Sequence, residues 1–341
     1  MIKLKRTFHA VGQGAFFNEM FYDDNGNNPF NVVYDCGTSN SRQKLVSEIQ
    51  TEFAQGTKID YFFISHFHYD HFSGIKVLRS YCHIANFVIP TISPQMLAEA
   101  TIYNYLLLTG RGYSDSIARF DEFMDLMRMF VEEIEAMRIN EPRVIPTSIV
   151  SSQGGDWVYI PYNPNHNPID IIITKLKDHH LVNLAEAYEK MDFERIKHEI
   201  NNANLNDLKQ AYWNAYGKNH HHYVMPVYSG YENPALKTDE RVCLYTGDYD
   251  AGDSLKTQHL IGPLLGKWDS VGTFQVPHHG SKYNSCQDLY TNKDRVYVIS
   301  SFGPSLYHHP HGETLDLICE GQRVKLWLVG TRGSAKFCYA I

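Results

Sequence analysis

The segment Ser65-His66-Phe67-His68-Tyr69-Asp70-His71-Phe72-Ser73-Gly74 limits what this chain can fold into more than any other stretch. It directly follows an apolar run, Ile59–Ser65 (IDYFFIS). That run reads as a continuous strand buried on both faces. In an extended stretch alternate side chains share a side. His66 and His68 therefore point to one place, and Asp70 and His71 to a second place beside it. Nitrogen and oxygen donors of this kind suit zinc, and also manganese or iron. The fold must then present a strand end on which a cation site can be built.

Other parts of the chain offer matching donors. It has 18 His, and eight of them fall in three clusters, at 66/68/71, 278/279 and 308/309/311. The strand-like Leu244-Tyr245-Thr246 leads into Gly247-Asp248, where glycine allows close approach of the backbone. Val276-Pro277-His278-His279-Gly280-Ser281 follows another apolar strand, and Tyr307-His308-His309-Pro310-His311 a further one. Each set alone is an ordinary polar loop. Together, four loops that each follow an apolar strand converge on the carboxyl edge of a sheet sandwich.

Hydrophobic periodicity supplies the frame. Residues 2–9 alternate as a half-buried strand, followed by a turn at Gly12-Gln13-Gly14 and a strand over Ala15–Tyr22. Asn31–Tyr34 is a short strand that ends at Asp35-Cys36-Gly37, and 42–54 suits a helix with Leu45, Val46, Ile49 and Phe53 on one face. Residues 94–139 read as helical, with Ile117, Phe120, Met124, Met127, Val131, Ile134 and Met137 as the core stripe. A strand pair is expected near 157–160 and 169–173, then a charged helical block over 181–216. Strands return at 223–228, 241–246, 273–276, 296–301, 325–329 and 335–340. Strands, helices and strands again give an α+β chain of stacked layers, two sheets covered by helices. No solenoid repeat, flexible linker or GxxxxGK[ST] phosphate loop is present.

Composition narrows the function classes. The net charge of −7 and the lack of a basic tail do not favour general adhesion to a nucleic-acid backbone, though a local basic cleft is compatible with both. No run of about 18 apolar residues suggests a membrane span, and the N-terminus has no signal-peptide core. Six scattered Cys without a CxxC pair point to a reducing, cytoplasmic setting. A length of 341 residues allows two domains or one elaborated domain.

HFHYDH resembles the HxHxDH signature of the metallo-β-lactamase superfamily, VVYDCG its first acidic motif, TGD its bridging aspartate and PHHGS its late histidine motif. More narrowly, VGQG at 11–14, SHFHYDH at 65–71, TGD with VPHHGS, and VISSFGPSLYHHPHGETL at 297–315 resemble the hydrolase domain of ComEC-type DNA-uptake proteins and its stand-alone relatives. The resemblance implies one four-layer αβ/βα sandwich over 1–341, with helical insertions at about 94–140 and 176–217 that cover one side of the site. It implies two divalent ions, zinc first and manganese as the alternative. His66 and His68 would hold the first ion. Asp70 and His71 would hold the second, with His278 or His279, and His278 is preferred because it comes first off the strand. Asp248 would bridge both ions, Asp35 would accept from a ligand imidazole, and His309 and His311 would face the substrate. Asp70 would also orient the attacking water.

The chain departs from the superfamily pattern in one respect. No motif supplies the additional metal-binding His expected between HxHxDH and the bridging Asp, and His166, His179, His180 and His220–His222 are candidates without a motif. Tyr103, Tyr105, Arg111 and Tyr113 read first as the exposed end of a surface helix, with stacking on a base or pairing with phosphate as the alternative. The expected activity is phosphodiester hydrolysis by a metal-activated water, on a small anionic substrate or single-stranded nucleic acid. Hydrolysis of an ester, amide or thioester of the lactam or lactone type is the alternative, and a metal-binding, non-catalytic partner module is the third reading.

Overall fold

The computed structural model describes residues 1–27, 30–110, 115–150, 155–163, 171–216, 223–292, 294–300, 308–320 and 324–341. In chain order the first strands are β1 (Lys3–Phe8), β2 (Phe16–Tyr22), β3 (Phe30–Cys36), β4 (Lys58–Ile59), β5 (Tyr61–Phe63), β6 (His83–Ile84), β7 (Phe87–Pro90) and β8 (Ala136–Ile139). The second set is β9 (Ile145–Val150), β10 (Asp156–Pro161), β11 (Val227–Tyr231), β12 (Asp239–Tyr245), β13 (Val271–Gln275), β14 (Val296–Ser300), β15 (Lys325–Val329) and β16 (Ala335–Ala340). One seven-stranded sheet runs β16-β1-β2-β3-β5-β7-β8 and the other β15-β14-β13-β12-β11-β10-β9, while β4 and β6 form a separate pair.

Period-two alternation splits each strand between two cores. On β2 and β3, Phe16, Met20 and Val33 face a helical layer, whereas Phe17, Phe21, Val32 and Tyr34 face the opposite sheet. Aromatic contacts bind the sheets together, among them Tyr34 on Tyr245 with ring centroids 5.0 Å apart. A buried ionic knot also spans them. Glu19 accepts from Arg6, Tyr159, Ser229 and Tyr245 at 2.5–2.9 Å. Every oxygen of this buried carboxylate is thereby satisfied, which burial requires.

The helical residues of 94–130 and 172–216 pack into the same core as Val33, Phe62 and Ile64, on the outer face of the first sheet. The far side of the second sheet is met by the helices Ser254–Ile261 and Gly312–Cys319, through Leu260 and Ile318. Helix, sheet, sheet and helix therefore stack in the expected order.

Several local expectations need correction. The apolar run 59–65 is not one strand, because Asp60 breaks it between β4 and β5, with its N–H donating to the Asn31 carbonyl and its carboxylate accepting from Asn31 N–H. The helical reading of 94–139 holds for Pro94–Gly110 and Ser116–Arg128, followed by a π-helical turn at Met129–Glu133. Beyond it the chain turns into β8, and Ile117 on the expected core stripe is exposed. Of the strand expected near 169–173, residues 169–170 lie outside the described residues and Ile172–Asp178 is a helix, while β10 pairs with β9 and β11. Residues 223–226 precede β11 instead of lying within it. All six cysteines are free thiols. Among the described residues no helix is long and apolar enough to cross a membrane.

Candidate metal centre

Five parallel strand ends aim at one place. β3 is parallel to β5, and β12, β13 and β14 run parallel in the opposite sheet. Ligand sites in such sheets lie outside the carboxyl ends of the strands. β3 carries Asp35 as its penultimate residue, β5 leads to His66 and His68, β12 to Asp248, and β13 to His278 and His279. Asp70 and His71 sit on a one-turn helix, Tyr69–Phe72, directly after the β5 loop.

The backbone at this edge adopts conformations that side-chain-bearing residues rarely take. Asp35, His278, His279 and His308 all have positive φ, at 54°, 45°, 54° and 54°. Such strain, of order 1–3 kcal/mol per residue, persists only where the surroundings over-determine it. Gly247, at φ +55°, is required as glycine: a Cβ there would lie 2.7 Å from Ser65 Cβ.

Two groups of donors result. Donor atoms of His66, His68 and Asp248 lie within 4.8 Å of one another, and so do those of Asp70, His71 and His279. Asp248 stands between them. Its Oδ2 is 3.8 Å from His66 Nε2 and 3.5 Å from His278 Nε2. Its Oδ1 is 3.2 Å from His71 Nε2 and 3.8 Å from His279 Nε2. One carboxylate thus offers one oxygen to each group.

The preference for His278 in the Asp70–His71 group is not what the geometry shows. His279 Nε2 lies 3.7 Å from Asp70 Oδ2, whereas His278 turns to the Oδ2 side of Asp248. Left-handed backbone at both residues swings the second imidazole inward, and the Ser300 carbonyl holds its Nδ1 at 2.6 Å.

Outer hydrogen bonds set the tautomers. His71 Nδ1 donates to Asp35 Oδ2 at 2.8 Å, His279 Nδ1 to the Ser300 carbonyl, and His278 Nδ1 to Asn284 Oδ1 at 2.9 Å. Ser65 Oγ donates to Asp35 Oδ2 at 2.7 Å and so is left to accept from His66 Nδ1 at 2.9 Å. A proton on Nδ1 leaves Nε2 with a lone pair. Each of these Nε2 atoms then faces a carboxylate oxygen, lone pair against lone pair. Only a cation between them, a proton or a metal ion, makes that arrangement favourable. Burial alone would lower the pKa of His71, yet Asp248 and Asp35 outweigh it and raise it well above the ordinary imidazole value. His279 is raised likewise, with Asp248 and Asp70 overcoming burial. Burial opposes ionisation of Asp248, but His278, His71 and His279 hold it well below the usual carboxylate range. The donor set therefore fits divalent metal ions.

The late histidines lie beside this group. The His309 ring is 5.5 Å from that of His278 and 6.1 Å from that of His279, and burial beside these two rings lowers its pKa to about 3. His311 is further out and half-buried, 5.0 Å from His309 ring to ring. Its Nδ1 accepts from Lys282 N–H at 3.3 Å, which places the proton on Nε2 as an available donor.

Other expectations fall elsewhere. His179 Nε2 meets Asn214 at 3.0 Å, and neither it nor His180 belongs to the two donor groups. His166, His220–His222, Arg111, Tyr113 and Tyr307 lie outside the described residues. Neither tyrosine is at an exposed helix end: Tyr105 packs on Phe120, and Tyr103 stacks on His68. Sequence reasoning passed over Ser65, whose only signal is its place before the histidines. It also passed over Gln275, whose Oε1 takes the N–H groups of Thr246 and Gly247 at 2.7 and 2.9 Å and so fixes the turn that carries Asp248.

A family model described as the metallo-beta-lactamase superfamily matches residues 27–182. The chain has the metallo-β-lactamase fold. The matched segment holds Asp35 and HFHYDH, and the two facing sheets bring Asp248 and the late histidines to it. Among solved structures, the chain is similar to a peroxy diiron species of the chemotaxis sensor ODP, at 13% identity and TM-score 0.30, covering 84% of this chain and 74% of that one. It is also similar to a HARLDQ-motif mutant of a metallo-beta-lactamase from Cronobacter sakazakii (Enterobacter sakazakii), at 12% identity and TM-score 0.32, covering 77% and 74%. A third is MEM-A1, a subclass B3 metallo-beta-lactamase from a soil metagenome library, at 10% identity and TM-score 0.33, covering 83% and 81%. At such scores these likenesses carry no functional argument. No curated protein matches.

Proposed function

We propose that this chain is a binuclear metal-dependent hydrolase that cleaves phosphodiesters. One observation carries the reading: Asp248 directs Oδ2 toward His66 and Oδ1 toward His71, each oxygen backed by a separate donor group. His66, His68 and Asp248 would hold one ion, with His278 as the further donor on the Oδ2 side, where the superfamily's additional histidine has no motif in this chain. Asp70, His71, His279 and Asp248 would hold the other. Such a pair of ions, zinc or manganese, supplies a water of lowered pKa and polarises the scissile bond.

The chain's own residues do the rest. Asp35 and Ser65 hold the imidazoles of His71 and His66 in the tautomer that keeps the proton on Nδ1 and leaves the Nε2 lone pair for an ion. Asp70 is kept ionised because His279 and His71 outweigh its burial, which lets it orient a water by accepting from it. His311 Nε2–H and the neighbouring His309 sit where a phosphoryl oxygen or leaving group needs a donor. The phosphodiester preference follows the ComEC-like order of VGQG, TGD, VPHHGS and the HHPH loop, and the net charge of −7 argues against a long duplex, which leaves a small or single-stranded substrate. We place the activity in the cytoplasm and treat 1–341 as one catalytic domain.

Turnover of bis-p-nitrophenyl phosphate with added manganese or zinc tests the proposal. The expected result is hydrolysis that is lost in His68→Ala. Inert phosphodiesters together with turnover of lactone or thioester substrates would overturn the substrate class, and inertness toward both with full metal content would overturn catalysis.

A further inference from the structure

The loop that carries His66 and His68 is gripped from the side of the helical insertion. The residues between the histidines and acid, Phe67 and Tyr69, turn away from the centre into the core shared with the inserted helices. The Phe67 ring lies 5.8 Å from Phe130, and the Tyr69 hydroxyl donates to Glu122 at 3.2 Å. Period-two alternation thus sends one set of side chains to the metal site and the other into the insertion.

Within that contact, two successive residues of the Pro94–Gly110 helix meet His68 from different directions. Asn104 is fully buried. Its Oδ1 accepts from Tyr69 N–H at 2.8 Å and its Nδ2 donates to the Phe67 carbonyl at 3.0 Å, so one amide brackets His68 on both flanks. The remaining Nδ2 proton goes to the Ala100 carbonyl at 2.7 Å, which pins the amide to its own helix. The bond from Tyr69 also caps the one-turn helix Tyr69–Phe72, whose cap residue, His68, makes no side-chain cap. Tyr103 lies face to face on the His68 imidazole, with ring centroids 3.9 Å apart and planes inclined by 13°. The Tyr103 ring also lies 6.3 Å from that of Tyr212 in the second helical block.

We propose that Tyr103 and Asn104 are the positioning pair for His68, Asn104 fixing the backbone from which the imidazole projects and Tyr103 fixing the plane of its ring. On this account the insertion is not only a cover over the site but part of the support for the first metal ion. The inference rests on the reading of His68 as a ligand of that ion. Outer partners that orient a metal-binding histidine typically set metal affinity by roughly 10–100-fold.

The test is stepwise Co2+ and Zn2+ binding, followed by calorimetry and by the Co2+ absorption spectrum, on the full chain and on Tyr103→Leu, Tyr103→Phe, Asn104→Ala and His68→Ala. Tyr103→Leu and Asn104→Ala are expected to weaken one of the two ions by about 10–100-fold and to change its Co2+ spectrum while the other ion is unaffected. Tyr103→Phe keeps the stacked ring and is expected to bind like the parent. Should Asn104→Ala fail to fold, the Leu and Phe variants of Tyr103 decide the question alone. Parent-like binding in Tyr103→Leu, or equal weakening of both ions, overturns the pairing. If His68→Ala itself keeps both ions, the ligand reading fails instead.

Discussion

Replacing Asp35 by Asn tests the supporting network at its most sensitive point. Asp35 is fully buried and accepts three hydrogen bonds, from Ser65 N–H and Ser65 Oγ at 2.7 Å and from His71 Nδ1 at 2.8 Å. Asparagine has nearly the same shape and keeps an oxygen for Ser65 N–H. Its NH2 group then stands where Oδ2 accepted, and it cannot accept from His71. The imidazole must move its remaining proton to Nε2, the atom 3.2 Å from Asp248 Oδ1 that would otherwise donate to a cation. The loss is about one hydrogen bond to a charged group, roughly 1.5–3 kcal/mol. At about 1.4 kcal/mol per factor of ten, this is about 10–100-fold in metal affinity, the range known for such outer partners. Competition with a chromophoric chelator measures it directly, and circular dichroism checks that the fold persists. Parent-like affinity for both ions in Asp35→Asn would refute the tautomer argument.

Asp248→Ala removes the shared carboxylate, so the metal content of the purified chain, read by mass spectrometry, is expected to fall from about two ions and activity with it; retention of both ions would count against bridging. Gly247→Ala puts a Cβ 2.7 Å from Ser65 Cβ at φ +55°, and urea denaturation should show a loss of at least ~1–2 kcal/mol, the ordinary cost of left-handed backbone. His311→Ala should lower turnover with metal content intact, since Nδ1 faces Lys282 N–H and not the donor groups; loss of metal would contradict this. Burial works against ionisation of Glu48, but hydrogen bonds from His9, Lys44 and Ser334 outweigh it and lower its carboxyl from 4.5 to about 2. The unfolded chain therefore binds the extra proton first as the pH drops, and this stabilisation is full above about 4.5 and lost toward 2. Urea midpoints against pH should decline less steeply across that window in Glu48→Gln, and an unchanged slope would exclude the network as the cause.

The centre was legible where its chemistry is local in the chain. HFHYDH puts donors at alternating positions after an apolar strand, which aims His66 and His68 at one place, while the separate place of Asp70 and His71 depends on the one-turn helix Tyr69–Phe72. Asp248 and the late histidines were legible as strand-end loops, because parallel strands deliver such loops to a common edge. The choice between His278 and His279 was not, since it turns on positive φ at both residues and on the distant Ser300 carbonyl. Ser65 was hidden for a similar reason: a serine before a histidine gains its role only when β3 lies parallel to β5 and brings Asp35 within 2.7 Å. The misread strand β8 continues the apolar spacing of the helix before it, through Ile134 and Met137, and only pairing with β7 decides between helix and strand. Tyr103 read as a surface helix end, with substrate stacking as the alternative, because a tyrosine carries no mark of what it packs on. The sequence holds no sign that its neighbour would be His68.

Anomalous diffraction from crystals soaked in Mn2+ or Zn2+ locates the bound ions. Two peaks are expected, roughly 3.5–4 Å apart, one on the His66–His68 side of Asp248 and the other on the Asp70–His71–His279 side. A single peak that leaves one Asp248 oxygen without an ion, or peaks away from this carboxylate altogether, would contradict the binuclear proposal.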